Sequence, residues 1–509
     1  MRTYRLVKQM CLPVGAIILA TLTWVHSSYA PSLAAEKLVS ESQKDDATTG
    51  SAEAKQVPVY AFEGHVRVDP RKAPVRHNVT VLGKDFAPNV NLDLVWHTVK
   101  GTWDIRGDYR EAYHGRIFKP MQYPIAKVQT DDQGSFNIAF TVPEDYGFNH
   151  NITIESGAKV LNRVGFDIEP SASIEPASGP IGTPITITMT GIGWQNMENS
   201  WTLMYDNKYV GLLTAVTTRG TAKAVIPATN GPGKHILRII HGAFQYPYLN
   251  TEQNPRPDQP VITMEFTITD GPPVLPLPAE KQVLPTLDGS PPSADTAVPA
   301  LSVQPKVAPI DTKATLFGKG FMPGQKVNFR WYRVVGNRIS GTGWDEASFD
   351  LGSAMVQPDG NLSFPFAVPD DLGGGHRIEA FADEVKVADT EFIITPSAIP
   401  LDVSSGPIGT QLTFHIKGVG WTETANIYHL VYDNAYLGYA CGFNSQGDVK
   451  IHLPLTGEKG WHFVDIYPGI YKGKEIKGVQ NFRVPQLTFE MDHPGERLPA
   501  FHFAVYAEK

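Results

Sequence analysis

The chain has 509 residues, of which 42% are hydrophobic and only 19% charged, with 46 Gly and 41 Pro. That profile fits an all-β protein of several turn-rich domains and argues against a coiled coil, a helical bundle or a mainly disordered chain. The formal charge of −8, with no basic stripe, argues against nucleic acid or anionic lipid as a partner held through phosphate contacts.

Residues 1–35 read as a signal peptide. Arg2, Arg5 and Lys8 precede a mostly apolar run from Met10 to Val25, short for a membrane span, and small residues follow at Ser32-Leu33-Ala34-Ala35. No membrane span is expected after cleavage, and the product is expected to be exported, to the periplasm, the cell surface or the medium. Residues 36–57 are polar and small and read as a disordered N-terminal linker. Only Cys441 remains beyond the leader, so no internal disulfide is available and the fold must rest on its cores.

Beyond residue 57 the chain repeats itself. Ser178–Gly211 aligns with Ser405–Gly438 at a constant offset of 227 with 17 of 34 positions identical, including SGPIGT, the Gly-x-Gly-Trp ending at Trp194 and Trp421, and Tyr-Asp-Asn. A second pair flanks the first: Gly83-Lys84, Phe86, Pro88 and Trp96 match Gly318-Lys319, Phe321, Pro323 and Trp331, and farther on Val142-Pro143, Asp145, Gly147 and His150 match Val368-Pro369, Asp371, Gly373 and His376. The order is a duplicated two-domain unit: domain A at 58–169, B at 170–270, a Pro-rich linker at 271–299 holding eight prolines, A′ at 300–395 and B′ at 396–509. Apolar residues alternate with polar ones over short runs such as Ile185-Thr-Ile-Thr-Met, and turn residues separate the runs. Each unit therefore reads as a β-sandwich, and the chain as all-β with four tandem immunoglobulin-like domains.

The run from Ile174 through Ser178-Gly-Pro-Ile-Gly-Thr183 to Gly191-Ile-Gly-Trp194, and its counterpart ending at Trp421, resembles the opening of IPT/TIG immunoglobulin-like domains. Gly318-Lys-Gly-Phe-Met-Pro-Gly324 resembles a turn of bacterial Ig-like repeats. The resemblance implies the fold. Domains of this kind serve as spacers, adhesive modules and protein- or carbohydrate-binding appendages, so function has to be argued from sites.

Three groups of residues stand out. In A, the segment that is longer than its A′ counterpart holds Trp103, Arg106, Tyr109, Tyr113, His114 and Tyr123, the composition of a binding surface or of an extra strand pair packed on a neighbouring domain. Late in B come Phe244, Tyr246 and Tyr248, where B′ carries an insertion around Lys472–Met491. The hairpin motif Tyr205-Asp206-Asn207-x-Tyr209 recurs as Tyr432-Asp433-Asn434-x-Tyr436, and Asp-Asn is suited to a tight turn. Four repeated histidines, His150, His235, His376 and His462, each fall in a different domain and read as strand-start residues. No catalytic residues, metal ligands or cofactors are expected, and the chain is not expected to be an enzyme.

The resulting expectation is a non-catalytic exported structural or interaction protein of a bacterium, a cell-surface or extracellular adhesive or assembly module. Its partner would be a protein or polysaccharide surface, or the chain itself, because two similar units on a spacer favour a repetitive partner. The alternatives are a carbohydrate-binding protein using the aromatic segments, and an enzyme or metalloprotein with a site between domains.

Overall fold

The computed structural model describes residues 62–106, 112–243, 245–254, 259–289, 299–337, 343–442, 445–471 and 483–509. Residues 1–35, expected as a leader, and 36–57, expected as a disordered linker, lie outside them.

Domain A consists of β1 (His65–Asp69), β2 (Lys72–Ala73), β3 (Asn78–Lys84), β4 (Asn91–Arg106), β5 (Ala112–Gln129), β6 (Phe136–Thr141), β7 (Phe148–Ser156) and β8 (Lys159–Ile168). A three-stranded sheet, β1-β3-β6, faces a five-stranded sheet, β2-β8-β7-β4-β5. Domain B follows with β9 (Ser171–Glu175), β10 (Ser178–Gly179), β11 (Pro184–Thr190), β12 (Trp201–Tyr205), β13 (Lys208–Leu213), β14 (Ala222–Pro227), β15 (Gly233–Ala243), β16 (Tyr246–Pro247) and β17 (Ile262–Ile268). Its sheets are β9-β11-β14 and β10-β17-β15-β12-β13.

Domain A′ holds β18 (Ala300–Gln304), β19 (Val307–Ala308), β20 (Lys313–Lys319), β21 (Lys326–Asn337), β22 (Gly343–Met355), β23 (Leu362–Ala367), β24 (Gly374–Ala382) and β25 (Val385–Ile394). Domain B′ holds β26 (Ser397–Ile399), β27 (Ser405–Gly406), β28 (Gln411–Lys417), β29 (Tyr428–Tyr432), β30 (Ala435–Ala440), β31 (Val449–Pro454), β32 (Gly460–Pro468) and β33 (Phe501–Ala507). A, A′ and B′ share the three-on-five arrangement, and B has it with β16 added beside β15, so the protein is all-β with four tandem immunoglobulin-like sandwiches in a duplicated pair.

The strands form where the sequence alternates. β3, β11 and β28 each bury every second residue, with Val79 and Val81, Ile185 and Ile187, and Leu412 and Phe414 turned inward. β12 and β29 depart from this: all five residues of each are buried, because neighbouring elements cover the outer face of their sheets as well. At the centre of A and A′ lie Trp96 and Trp331, fully buried, their indole N–H groups donating to Asp145 at 2.9 Å and Asp371 at 3.1 Å. His150 and His376 stack on these rings at 4.5 and 4.6 Å. The four repeated histidines share one task. In each, Nε2 faces the carbonyl four residues earlier, on Tyr146, Gly231, Leu372 and Glu458, at 2.7–2.8 Å, which fastens the turn before the strand.

The A–B and A′–B′ junctions are built alike. Gly147 N–H donates to Ile192 and Gly373 N–H to Val419, both at 3.1 Å, across contacts where a Cβ on Gly147 would sit 1.8 Å from the Gly191 carbonyl oxygen, and one on Gly373 2.0 Å from that of Gly418. Above each contact a side chain from the second domain reaches the aspartate of the first. Arg219 pairs with buried Asp145 at 3.1 Å, and Gln446, its counterpart at the 227 offset, donates to Asp371 at 2.7 Å.

The Pro-rich stretch, expected as a spacer, is docked over its described part. Val274 N–H donates to Ile181 at 2.9 Å, Ala279 enters the B′ core, and the Gln282 amide exchanges two hydrogen bonds with the His502 backbone at 2.6 and 2.7 Å.

Candidate functional site

The repeated Tyr-Asp-Asn motif makes the turns of the β12–β13 and β29–β30 hairpins. Asp206 and Asn207 have φ of 47° and 63°, Asp433 and Asn434 of 45° and 60°, the left-handed pair that a two-residue hairpin turn requires and that these residue types tolerate. The aspartates also latch the turn inward. Asp206 accepts from Ile236 N–H at 3.0 Å and lies 2.6 Å from His235 Nδ1; Asp433 accepts from Phe463 N–H at 2.9 Å and lies 2.6 Å from His462 Nδ1. The hydrogen bond to the Asp433 carboxylate, together with its charge, holds the His462 imidazolium above its ordinary value against the cost of burial. Tyr205 and Tyr432 are core residues, each sending its hydroxyl to a backbone carbonyl, Thr229 at 3.0 Å and Thr456 at 2.7 Å.

Beyond this common frame the two copies differ, because the second is inserted against the first. Asn207 is exposed, whereas Asn434 is fully buried and donates to Pro227 O at 2.9 Å and Thr229 Oγ1 at 3.0 Å. Lys208 donates to the Asp433 carbonyl at 3.1 Å, and Val431 and Tyr467 of B′ join the apolar cluster of B. This seam brings two of the singled-out groups together. Tyr246 packs on Tyr209 at 5.7 Å, Tyr209 meets Tyr436 edge-on at 6.1 Å, and His429, next to Tyr436, lies 6.2 Å from Tyr439. The ends of this row are open to solvent: Tyr246 is 54% exposed and Tyr439 59%, with Leu437 beside it at 55%. Burial lowers His429 to about 3, so it is a neutral member of the row. Tyr248 is half-buried with its N–H donating to His241 at 3.2 Å; Phe244 lies outside the described residues.

The segment in A is the outer half of the β4–β5 hairpin, and it faces domains B and B′. Trp103 packs against Tyr113 at 6.1 Å and donates from Nε1 to Asp492 at 3.2 Å. Tyr113 is fully buried, its backbone N–H donates to Glu423 Oε2 at 2.9 Å, and burial pushes its phenol well up. Tyr123 accepts from Arg219 at 3.1 Å with that guanidinium over its ring. Arg106 is exposed and bonds Asp104 at 2.6 and 2.8 Å; His114 is half-buried; Tyr109 lies outside the described residues.

Asp492, which sequence reasoning did not single out, ties three domains. It is 2% exposed and accepts from Val216 N–H and Thr217 N–H, both at 2.8 Å, from Thr217 Oγ1 at 2.9 Å and from Trp103. Just before it, residues 485–487 lie along the outer edge of β13: Leu212 N–H donates to Pro485 at 2.8 Å and Leu487 N–H to Leu212 at 3.0 Å. The insertion in B′ was legible as an insertion, but nothing in its residues pointed to its target. Glu423, Arg219 and Gln446 were missed as well; only the last two left a signal, standing at equivalent positions just before the repeated Gly220 and Gly447.

Among the described residues no three His, Cys, Asp or Glu side chains gather as a metal-holding group, and no helix is long and apolar enough to cross a membrane. Cys441 is half-buried.

No protein-family model and no curated protein matches the chain. Solved structures with similar strand arrangements include an α2-macroglobulin of Salmonella, with 10% identity over 88% of this chain and 31% of that one at a TM-score of 0.18. Two others are the adhesin InvE of Yersinia pseudotuberculosis, with 15% identity over 48% and 66% at 0.15, and a C-terminal fragment of intimin in complex with the intimin-binding domain of its translocated receptor, with 12% identity over 40% and 64% at 0.16. The chain spans about a third of the length of the α2-macroglobulin. The likeness is one of immunoglobulin-like fold alone.

Proposed function

We propose that the chain is a non-catalytic exported interaction protein, acting at a cell surface or outside the cell through the open aromatic row at the B–B′ seam. In this reading residues 1–35 are a cleaved leader, the domain limits fall at 58, 170, 300 and 396, and B and B′ are IPT/TIG-like modules. The observation that carries it is the exposure of Tyr246, Leu437 and Tyr439 on a frame held by buried polar bonds. Large apolar and aromatic side chains left to water together mark a docking surface. The partner is a protein. A polysaccharide is the second reading, favoured by the exposed rings of Tyr246 and Tyr439, which offer flat faces to sugars.

The test is binding of the purified chain to panels of surface proteins and glycans, compared with the Tyr246→Ala/Tyr439→Ala double variant. The expected result is a partner whose affinity falls at least about tenfold with unchanged thermal unfolding, as for loss of two ring contacts. A partner bound equally well by the double variant rejects the seam as the site.

A further inference from the structure

Where B, the docked connection and B′ meet, a cavity of about 200 Å³ holds one polar group that the fold does not account for. Side chains along β32 alternate between two faces. Val464 and Ile466 enter the B′ core, while Phe463 and Asp465 stand on the outer face and line the cavity. Opposite Asp465 in the register is His502 of β33, whose Nδ1 lies 2.7 Å from Asp465 Oδ1. Asp465 is 2% exposed, and its second oxygen, Oδ2, has no hydrogen-bond partner among the described residues. Most of the remaining wall is apolar, with Val225 and Pro227 from β14 and Val274, Leu275 and Leu277 from the connection. Val225, Val274, Leu275 and Leu277 are 38–65% exposed, so the cavity opens to solvent through an apolar rim.

A carboxylate oxygen without a partner is costly in such a place, because nothing replaces the water it has lost. Burial raises the Asp465 carboxyl above its ordinary value, and the His502 hydrogen bond and charge offset this only in part. The duplicate shows that the sandwich does not need the acid: the equivalent pair in B, at the same register, is Arg238 and Thr263. An unpartnered anion in an apolar wall is the complement of a cation on an apolar stem. The size suits one. An apolar cavity of about 150 Å³ takes a benzene molecule, so this one has room for about six to eight non-hydrogen atoms. The free oxygen decides which cation. A guanidinium grips a carboxylate through both oxygens, and His502 already holds one of them, whereas an ammonium needs only a single oxygen. A hard metal ion needs several oxygen ligands, and the Gln282 side chain in this wall spends its amide on the backbone of His502 and Leu277.

We propose that this cavity binds a primary alkylammonium group, with the charged nitrogen on Asp465 Oδ2 and the alkyl chain along Phe463, Val225, Val274 and Leu277. His502 is a positioning residue: it occupies Oδ1 and leaves Oδ2 to the ligand. A lysine side chain of a partner polypeptide and a free amine both carry this chemistry. The site shares no residue with the Tyr246–Tyr439 row and does not depend on it.

The experiment titrates the full chain with n-hexylammonium at neutral pH in a calorimeter. Saturable binding at one site is expected, with a dissociation constant of about 1 mM or tighter. 1-Hexanol has the same chain without the charge and is expected to bind at least about tenfold more weakly. That comparison needs no variant, so it tests the carboxylate whatever a buried substitution does to folding. Asp465→Asn keeps the shape and removes the charge; it is expected to weaken n-hexylammonium at least about tenfold and to leave 1-hexanol unchanged. Leu277→Ser, at the most exposed of the rim positions, is expected to weaken both. Nα-acetyl-lysine N-methylamide distinguishes the sources: binding within about tenfold of n-hexylammonium assigns the cavity to a lysine of a polypeptide, and its exclusion assigns it to a free amine. No saturable binding of n-hexylammonium up to about 20 mM overturns the proposal. So does 1-hexanol bound as tightly as the ammonium, or n-hexylammonium bound equally well by Asp465→Asn.

Discussion

Replacing Asp492 by Ala tests how the domains are held together. Its carboxylate is 2% exposed and takes four donors from two other domains: two backbone N–H groups at 2.8 Å, the Thr217 hydroxyl at 2.9 Å and the Trp103 indole at 3.2 Å. A hydrogen bond to a charged acceptor contributes about 1.5–3 kcal/mol, but four sharing one carboxylate do not add. Truncation leaves neutral donors buried without a partner at about 1–3 kcal/mol each, less than additively, so the expected loss is about 3–5 kcal/mol. For a cooperative B–B′ unit of about 200 residues, at about 2–4 °C per kcal/mol, this moves the unfolding midpoint of the B–B′ transition down by about 6–20 °C in calorimetry. Asp492→Asn keeps one oxygen for Thr217 and Trp103 and turns an amide N–H toward Val216, so an intermediate loss is expected. Trp103→Phe removes one donor, and combining it with Asp492→Ala should cost less than the sum of the two. A shift under about 2 °C for Asp492→Ala, or strictly additive effects with Trp103→Phe, would refute the reasoning.

Three further outcomes follow from geometry and charge. Gly147→Ala places a methyl 1.8 Å from the Gly191 carbonyl oxygen and should cost about 3 kcal/mol or more and widen the particle in small-angle scattering, whereas Gly231→Ala, with open space around it, should be near neutral. Burial holds His429 at about 3, below its ordinary 6.5, so the unfolded chain binds a proton first as pH falls; stability should drop below about pH 6.5 by up to about 1.4 kcal/mol per unit, and His429→Asn should flatten that limb of a denaturation-versus-pH curve. His462 works in the other direction. The Asp433 hydrogen bond raises its folded value, so its contribution is fully present below the ordinary imidazole value and is lost as pH rises through the raised one; Asp433→Asn should remove that alkaline loss in the same curve.

The sandwich fold and the duplication were legible because both are written in local pattern. Period-two alternation and the turn-forming Asp-Asn pairs depend only on neighbouring residues, and the constant 227 offset carries them twice. What the residues could not show is which faces meet. Asn207 and Asn434 belong to the same motif, yet one is exposed and the other buried in a neighbouring domain. The Trp103–Tyr123 segment left a binding loop and a packed strand pair open, since both ask for aromatics and arginine; the structure shows a strand pair whose Trp103 and Tyr113 contact other domains. The exposure of Tyr439 was invisible for a related reason. Leu212 holds the equivalent position in B and is buried under residues 485–487, which the sequence does not place there.

The docked connection between the halves bears on how the molecule can be made. Gln282 bonds His502 across 220 residues of chain, and Ala279 fills part of a core whose other members begin at Ala398. A ribosome releases the connection long before the domain it completes, so its apolar residues wait through the synthesis of A′ and most of B′. Closing so long a loop carries an entropic cost that grows only slowly with length, so the wait is a matter of timing more than of equilibrium. A fragment beginning at residue 300 would lack a piece of its own last domain, and a chain stopped before residue 483 would leave Leu212, made in the first half, without its cover. The halves look interchangeable in sequence, but the first is finished by residues of the second and the second by the connection between them.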